Sequence, residues 1–187
     1  MNLDRFNTTV LAWPATALLV LLLFAPAVAA VELFGIDLAQ ATRDQLRGAV
    51  KNTGVRLVRE AGDDEFFDTY EAQDLLPGAR HLYLGFTKQD RRFAFAEYRF
   101  KGLEQPELLR RLKLKYGEPQ PSRSQFMSDY HLRWRDGPIH ISLYSDWGSY
   151  ATRLVYFEPQ RLAVLRSERK GFLTAIDKTQ EFLAPAY

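Results

Sequence analysis

The chain contains no cysteine, and only two methionines and three histidines among 187 residues. Without thiols there is no disulfide, no thiolate metal ligand and no site for a thiol-linked lipid anchor. The fold must therefore hold by packing and hydrogen bonding alone. No G-x-S-x-G elbow, no phosphate-cradling glycine loop and no H-E-x-x-H pair occurs, which removes three common catalytic layouts. A formal charge of +2 is too small a bias to point to a polyanion, so no nucleic-acid partner is expected. No cofactor and no metal is expected either. The longest apolar run, from Ala15 to Val31, is broken by Pro26 and falls short of the ~20 residues of a membrane-spanning helix.

That run has another use. Ala15 to Phe24 makes a short apolar core, and Ala27-Val28-Ala29-Ala30 carries the A-x-A spacing read by a signal peptidase. Residues 1–30 are expected to be a signal peptide, and 31–187 one exported domain, periplasmic or extracellular. The alternative is an uncleaved anchor. Asp4 and Arg5 would leave together, so the charge balance of the remainder is unchanged.

In the body, Thr42-Arg43-Asp44-Gln45 has the form of a capping box opening a helix with Leu46, Ala49 and Val50 on one face. Strand-like runs follow at 55–58, 67–70, 81–86 and 93–100, rich in aromatic and β-branched residues. Pro106 suits the first turn of a second helix lined by Leu108, Leu109, Leu112 and Tyr116. Strands are expected again at 130–135, 139–144 and 152–157. A long helix should then run from Pro159 to about Leu183. The expected fold class is α+β, with two tandem helix-plus-antiparallel-strand repeats, about 34–101 and 103–158, forming a helix-backed sheet before the C-terminal helix.

The phrase Phe34-Gly35-Ile36, then Ala41-Thr42-Arg43-Asp44-Gln45-Leu46 and Gly54, answered later by Tyr116-Gly117-Glu118-Pro119, resembles the tandem helix–sheet repeats of exported proteins. These are the beta-lactamase-inhibitor protein and the small outer-membrane-assembly lipoproteins. The Gly-to-Thr spacing here is longer than theirs, and the cysteines common among them are missing. The resemblance implies protein binding rather than catalysis.

Asp136-Gly137 between alternating runs predicts a tight hairpin. With those two residues as the turn, Trp134 pairs with Ile139, Leu132 with Ile141 and Tyr130 with Leu143 on a core face. Arg133 then faces His140, and His131 faces Ser142. A fixed cation opposite His140 opposes a divalent ion, so no metal is assigned to the two histidines. Ser167-Glu168-Arg169-Lys170 matches S-x-x-K, but its companion motifs are missing. The acidic run Asp63-Asp64-Glu65 reads as a solvated loop.

Strands 93–100 and 152–157 carry aromatic residues on both faces. Taking Tyr98, Phe100, Val155 and Phe157 as core leaves Phe95, Leu154 and Tyr156 on the other side. The expected binding residues are accordingly Tyr83, Phe95, Arg133, Tyr144, Trp147 and Tyr156 on an open sheet face, since aromatic and arginine side chains are favoured anchors. The expected function is non-enzymatic recognition of an envelope protein. The alternatives are a hydrolase acting on a cell-wall or glycan substrate, and a structural protein whose C-terminal helix lies on a membrane surface.

Overall fold

A computed structural model describes residues 30–61, 67–103, 105–122, 131–146, 148 and 150–168. The expected leader (apart from residue 30), the acidic run 63–65, Trp147 and the tail beyond 168 lie outside the described residues. Among the described residues no helix is long and apolar enough to cross a membrane.

The capping box at Thr42 forms as the sequence predicts. The Gln45 amide N–H donates to the Thr42 hydroxyl, and the Gln45 side chain accepts from the Thr42 N–H at 3.0 Å. It opens α1 (Arg43–Asn52), which buries Leu46 and Val50. Before it, β1 (Glu32–Leu33) and β2 (Ile36–Asp37) make a small separate hairpin. Arg47 of α1 reaches Asp68 through two hydrogen bonds of 2.7 and 2.6 Å, and the Ala61 N–H donates to the same carboxylate. A fully buried acid is tolerated there because these hydrogen bonds and the Arg47 charge replace the water it loses.

The main sheet begins with β3 (Leu57–Arg59), β4 (Asp68–Glu71), β5 (Ala79–Phe86) and β6 (Phe93–Lys101). After α2 (Pro106–Tyr116) come β7 (Gln120–Ser122), β8 (His131–Asp136), β9 (Ile139–Asp146) and β10 (Ala151–Phe157), then α3 (Pro159–Glu168). Strand order across the sheet is β3-β4-β5-β6-β10-β9-β8-β7, with every pairing antiparallel.

The expected fold class needs correction. Among the described residues strand outweighs helix, 43% against 26%. β6 and β10 pair without interruption from Lys101–Ala151 to Phe95–Phe157 at the centre of one eight-stranded antiparallel sheet. α3 packs on the face opposite α1 and α2, so the helices do not all back one face. The helices are short, at ten, eleven and ten residues. The expected long C-terminal helix is described only over Pro159–Glu168, where Leu162 and Leu165 are its buried residues.

One face of the sheet holds the larger core. Leu82, Leu84, Tyr98, Phe100, Leu154 and Tyr156 pack there with Leu46 and Val50 of α1 and Leu108 and Leu112 of α2. The opposite face is covered at one end by α3, whose Leu162 and Leu165 pack on Phe95, Val155 and Phe157. Burying each such side chain contributes roughly 1.5–3 kcal/mol. Two contacts pin α3 in place. Glu158 accepts from the N–H groups of Gln160 and Arg161 at its start, and Glu168 accepts from the Lys88 N–H at 2.7 Å at its end.

Two local expectations also change. The hairpin turn is Gly137-Pro138, with Asp136 opposite Ile139 and Trp134 opposite Ile141. Proline has no N–H for the ladder, and its fixed negative φ following a positive φ of 56° at Gly137 selects a type II′ turn. The shift leaves each side chain on its expected face but moves its partner by two residues. The second change concerns β10. Phe157 lies opposite Phe95 and Val155 opposite Glu97, so Val155 and Phe157 share the α3-side face, while Leu154 and Tyr156 join Tyr98.

Candidate functional site

Directly opposed residues of an antiparallel sheet share a face. Following that rule outward from β6 on the α3 side gives a row of polar side chains across six strands. It runs Glu71, His81, Arg99, Arg153, Tyr144, His131. Beside it, one pair closer to α3, stand Tyr83, Glu97, Val155, Ser142 and Arg133. Among the described residues, Leu162 and Leu165 of α3 cluster with Phe95, Val155 and Phe157, and Tyr83 and Tyr144 are partly buried against that cluster.

Glu97 is the electrostatic centre. Its carboxylate is fully buried and accepts from Arg99 Nε at 2.5 Å and from Arg153 at 3.2 Å, both through Oε1. The Arg99 guanidinium also lies 4.4 Å from the centre of the Tyr83 ring, a cation–π contact. Tyr83 in turn meets Phe67 edge-on at 5.1 Å. At the other end His131 sits 5.5 Å from the Tyr144 ring. Burial holds the His131 imidazole down to about 4, and the neighbouring Arg133 charge adds to this. His140 is lowered for the same first reason, with Arg135 and Arg133 contributing. Both rings are accordingly neutral at pH 7. Burial raises the Tyr83 phenol.

The expected binding residues separate into three groups. Tyr83, Arg133 and Tyr144 are half-buried and do share the α3-side face. Phe95 is fully buried beneath α3, and Tyr156 is buried on the opposite face against α1 and α2. Neither is a surface anchor; both are core, because the sheet is covered on both sides at the Phe95 end. Trp147 lies outside the described residues.

Glu97, Arg99, Arg153 and Ser142 were not singled out from the sequence. The available signal was a carboxylate and a guanidinium two residues apart in an otherwise apolar strand, Phe93 to Phe100. That spacing puts both on one face.

Among the described residues no group of three or more His, Asp or Glu side chains is arranged to hold a metal ion. Ser142 and His131 lie diagonally on neighbouring strands, yet the Ser142 hydroxyl makes no hydrogen bond. The base contact a serine nucleophile needs is therefore not made. The arrangement offers charge, hydrogen-bond donors and ring faces on one side of the sheet.

No known family model matches the sequence, and no curated protein matches it. Among solved structures, the chain is similar to a DUF4309 family protein (YjgB) from Bacillus subtilis, with 15% identity and a TM-score of 0.43. The match covers 69% of this chain and 87% of that one. At that level the likeness carries no argument.

Proposed function

We propose that the chain is an exported, non-enzymatic binding module that recognises an envelope protein through the α3-side face of its sheet. The observation that carries this reading is the row from His81 to His131. Arginine and tyrosine side chains stand side by side there on a rigid ladder, and Tyr83, Arg133 and Tyr144 keep partial contact with solvent. Side chains fixed by a sheet lose little freedom on binding, which favours recognition over an adaptable loop. The leader-like residues 1–30 support export, and the resemblance of the helix openings to exported binding proteins supports the class.

Charge reversal tests it. Arg133→Glu and the double variant R133E/R135E should lose capture of the partner from an envelope extract while keeping the thermal midpoint within a few degrees. Arg133→Lys should keep part of the capture. Undiminished capture by the correctly folded double variant would overturn the reading.

A further inference from the structure

We propose that Tyr150, at the rim of this face, is an anchor whose exposed ring enters an apolar pocket of the partner protein; the inference rests on the recognition reading above.

Among the described residues three other than glycine have a positive φ: Phe34 at 56°, Arg91 at 53° and Tyr150 at 48°. The left-handed region is unfavourable for any residue with a Cβ, and a bulky side chain there is an outlier that needs a cause. For two of the three the cause lies within the fold. Phe34 is half-buried and packs on the larger core from the turn between β1 and β2. The Arg91 carbonyl accepts from the Arg43 N–H at 2.8 Å, which ties the turn between β5 and β6 to the start of α1, and its exposed side chain is a charged group in water. Tyr150 shares only the backbone half of that account. Its carbonyl accepts from the Gly102 N–H at 3.1 Å, and the Gly102 carbonyl in turn accepts from the Thr152 hydroxyl at 3.0 Å. These bonds explain the conformation but not the residue, since glycine or asparagine would make the same backbone contact with less strain. The ring itself stays largely in water, 62% exposed. A large ring left in water at a position that strains the backbone points outside the chain for its use.

Its place fits the recognition face. Arg99 and Lys101 lie two apart on β6, as do Arg153 and Ala151 on β10, so the Lys101–Ala151 pair is the next row on the α3 side. Tyr150 leads into Ala151 at the end of that row. The bond to Gly102 holds the turn, so little freedom is lost when the ring is buried. Tyrosine suits the task, because it brings a large rigid contact area at low cost in side-chain freedom and is enriched among the residues that dominate interfaces.

Photo-crosslinking from the full chain tests this, with p-benzoylphenylalanine placed at Tyr150 or, as control, at Leu114. Leu114 is 74% exposed on α2, across the sheet from the proposed face. Irradiation in an envelope preparation should join position 150, and not position 114, to one protein that mass spectrometry identifies. Toward that protein, once purified, Tyr150→Asn should bind weaker by about tenfold or more. Its thermal midpoint should hold or rise by about 2–4 °C, because asparagine tolerates this backbone. Tyr150→Phe, which keeps the ring, should bind nearly as the parent does. No adduct at position 150, equal adducts at 150 and 114, undiminished binding by Y150N, or a loss with Y150F as large as with Y150N would each overturn the anchor. So would a fall in the Y150N midpoint, which would show that the ring serves the fold. If Y150N is silent while R133E/R135E abolishes capture, the anchor fails and the recognition reading stands. If R133E/R135E keeps capture, the recognition reading falls and the anchor with it.

Discussion

The Phe95 ring occupies the space a side chain at Gly85 on the neighbouring strand would take: a Cβ built on Gly85 would stand 2.0 Å from Phe95 Cε1 and 2.4 Å from Cδ1. The two residues oppose each other in the ladder, and the missing side chain of one makes room for the ring of the other. α3 then seals the pair from above. Gly85→Ala must push the ring into a packed layer, and overpacking of this kind costs about 1–3 kcal/mol. Chemical denaturation should show that loss. Adding Phe95→Leu to G85A should recover part of it, because the smaller side chain vacates the contested space. Independent, additive losses would mean the two residues do not share that space.

The Glu97 carboxylate, buried between Arg99 and Arg153, is the most sensitive charge on the α3-side face. Glu97→Gln keeps the shape but leaves two guanidinium groups against a neutral amide. Breaking a buried pair by neutralising one member destabilises by about 3 kcal/mol. The outer pair of Arg56 and Glu71 provides the contrast, since both side chains are largely in water. Glu71→Gln should leave the denaturation midpoint unmoved. Equal effects at the two positions would contradict the burial difference on which this rests.

Much of the local structure was legible because each signal had a short-range cause. The Thr42–Gln45 box, the Pro106 helix start and the aromatic strand at 93–100 are each signalled by their own residues. The face assignment failed where the cause was long-range. Phe157 could be matched with Phe100 or with Phe95 by pattern alone, and only the ladder between β6 and β10 fixes the choice. Moving the alternation by one residue exchanges faces, which is why Tyr156 was placed outside and lies in the core. Phe95 failed differently. Its face was assigned correctly relative to Tyr98, but nothing in its own strand says that α3 folds back over it. The Glu97–Arg99–Arg153 set was illegible for the same reason, since Arg153 reaches Glu97 only after distant strands have paired.

Thr42→Ala tests the local end of that range. It removes the acceptor for the Gln45 N–H and one of the two donors, the hydroxyl, that hold the Gln45 side chain back on the cap; the Thr42 backbone N–H remains. The cost should be about 1 kcal/mol. Thr42→Asp, which restores an acceptor and places a negative charge at the helix N-terminus, should regain most of it. Because Leu46 and Val50 stay packed in either variant, amide exchange should quicken mainly in the first turn of α1. An alanine variant as stable as the parent would show that packing alone holds this helix.

The buried imidazole of His131 sets a pH dependence of known sign. Its folded value of about 4, lowered by burial first and by Arg133 second, lies below the ordinary 6.5. Between those two values the unfolded chain binds a proton that the folded chain refuses, so stability rises with pH across this window. The contribution is complete above about 6.5 and is lost as the pH falls to about 4. A displacement of this size is worth on the order of 3 kcal/mol. Among the described side chains, Arg133 along its own strand and Tyr144 across the β9 pair neighbour the ring, and neither supplies a negative charge to hold the proton. Carboxylates titrate in the same range, so the comparison must be made against His131→Gln. That variant should have a flatter stability profile between pH 4 and 6.5, with the parent losing stability relative to it as the pH falls. Proton resonance of the ring would show the same thing directly, with an imidazole that stays neutral at pH 5. Parallel profiles for the two proteins would mean that His131 is protonated in the fold, and the burial that defines this end of the site would be wrong.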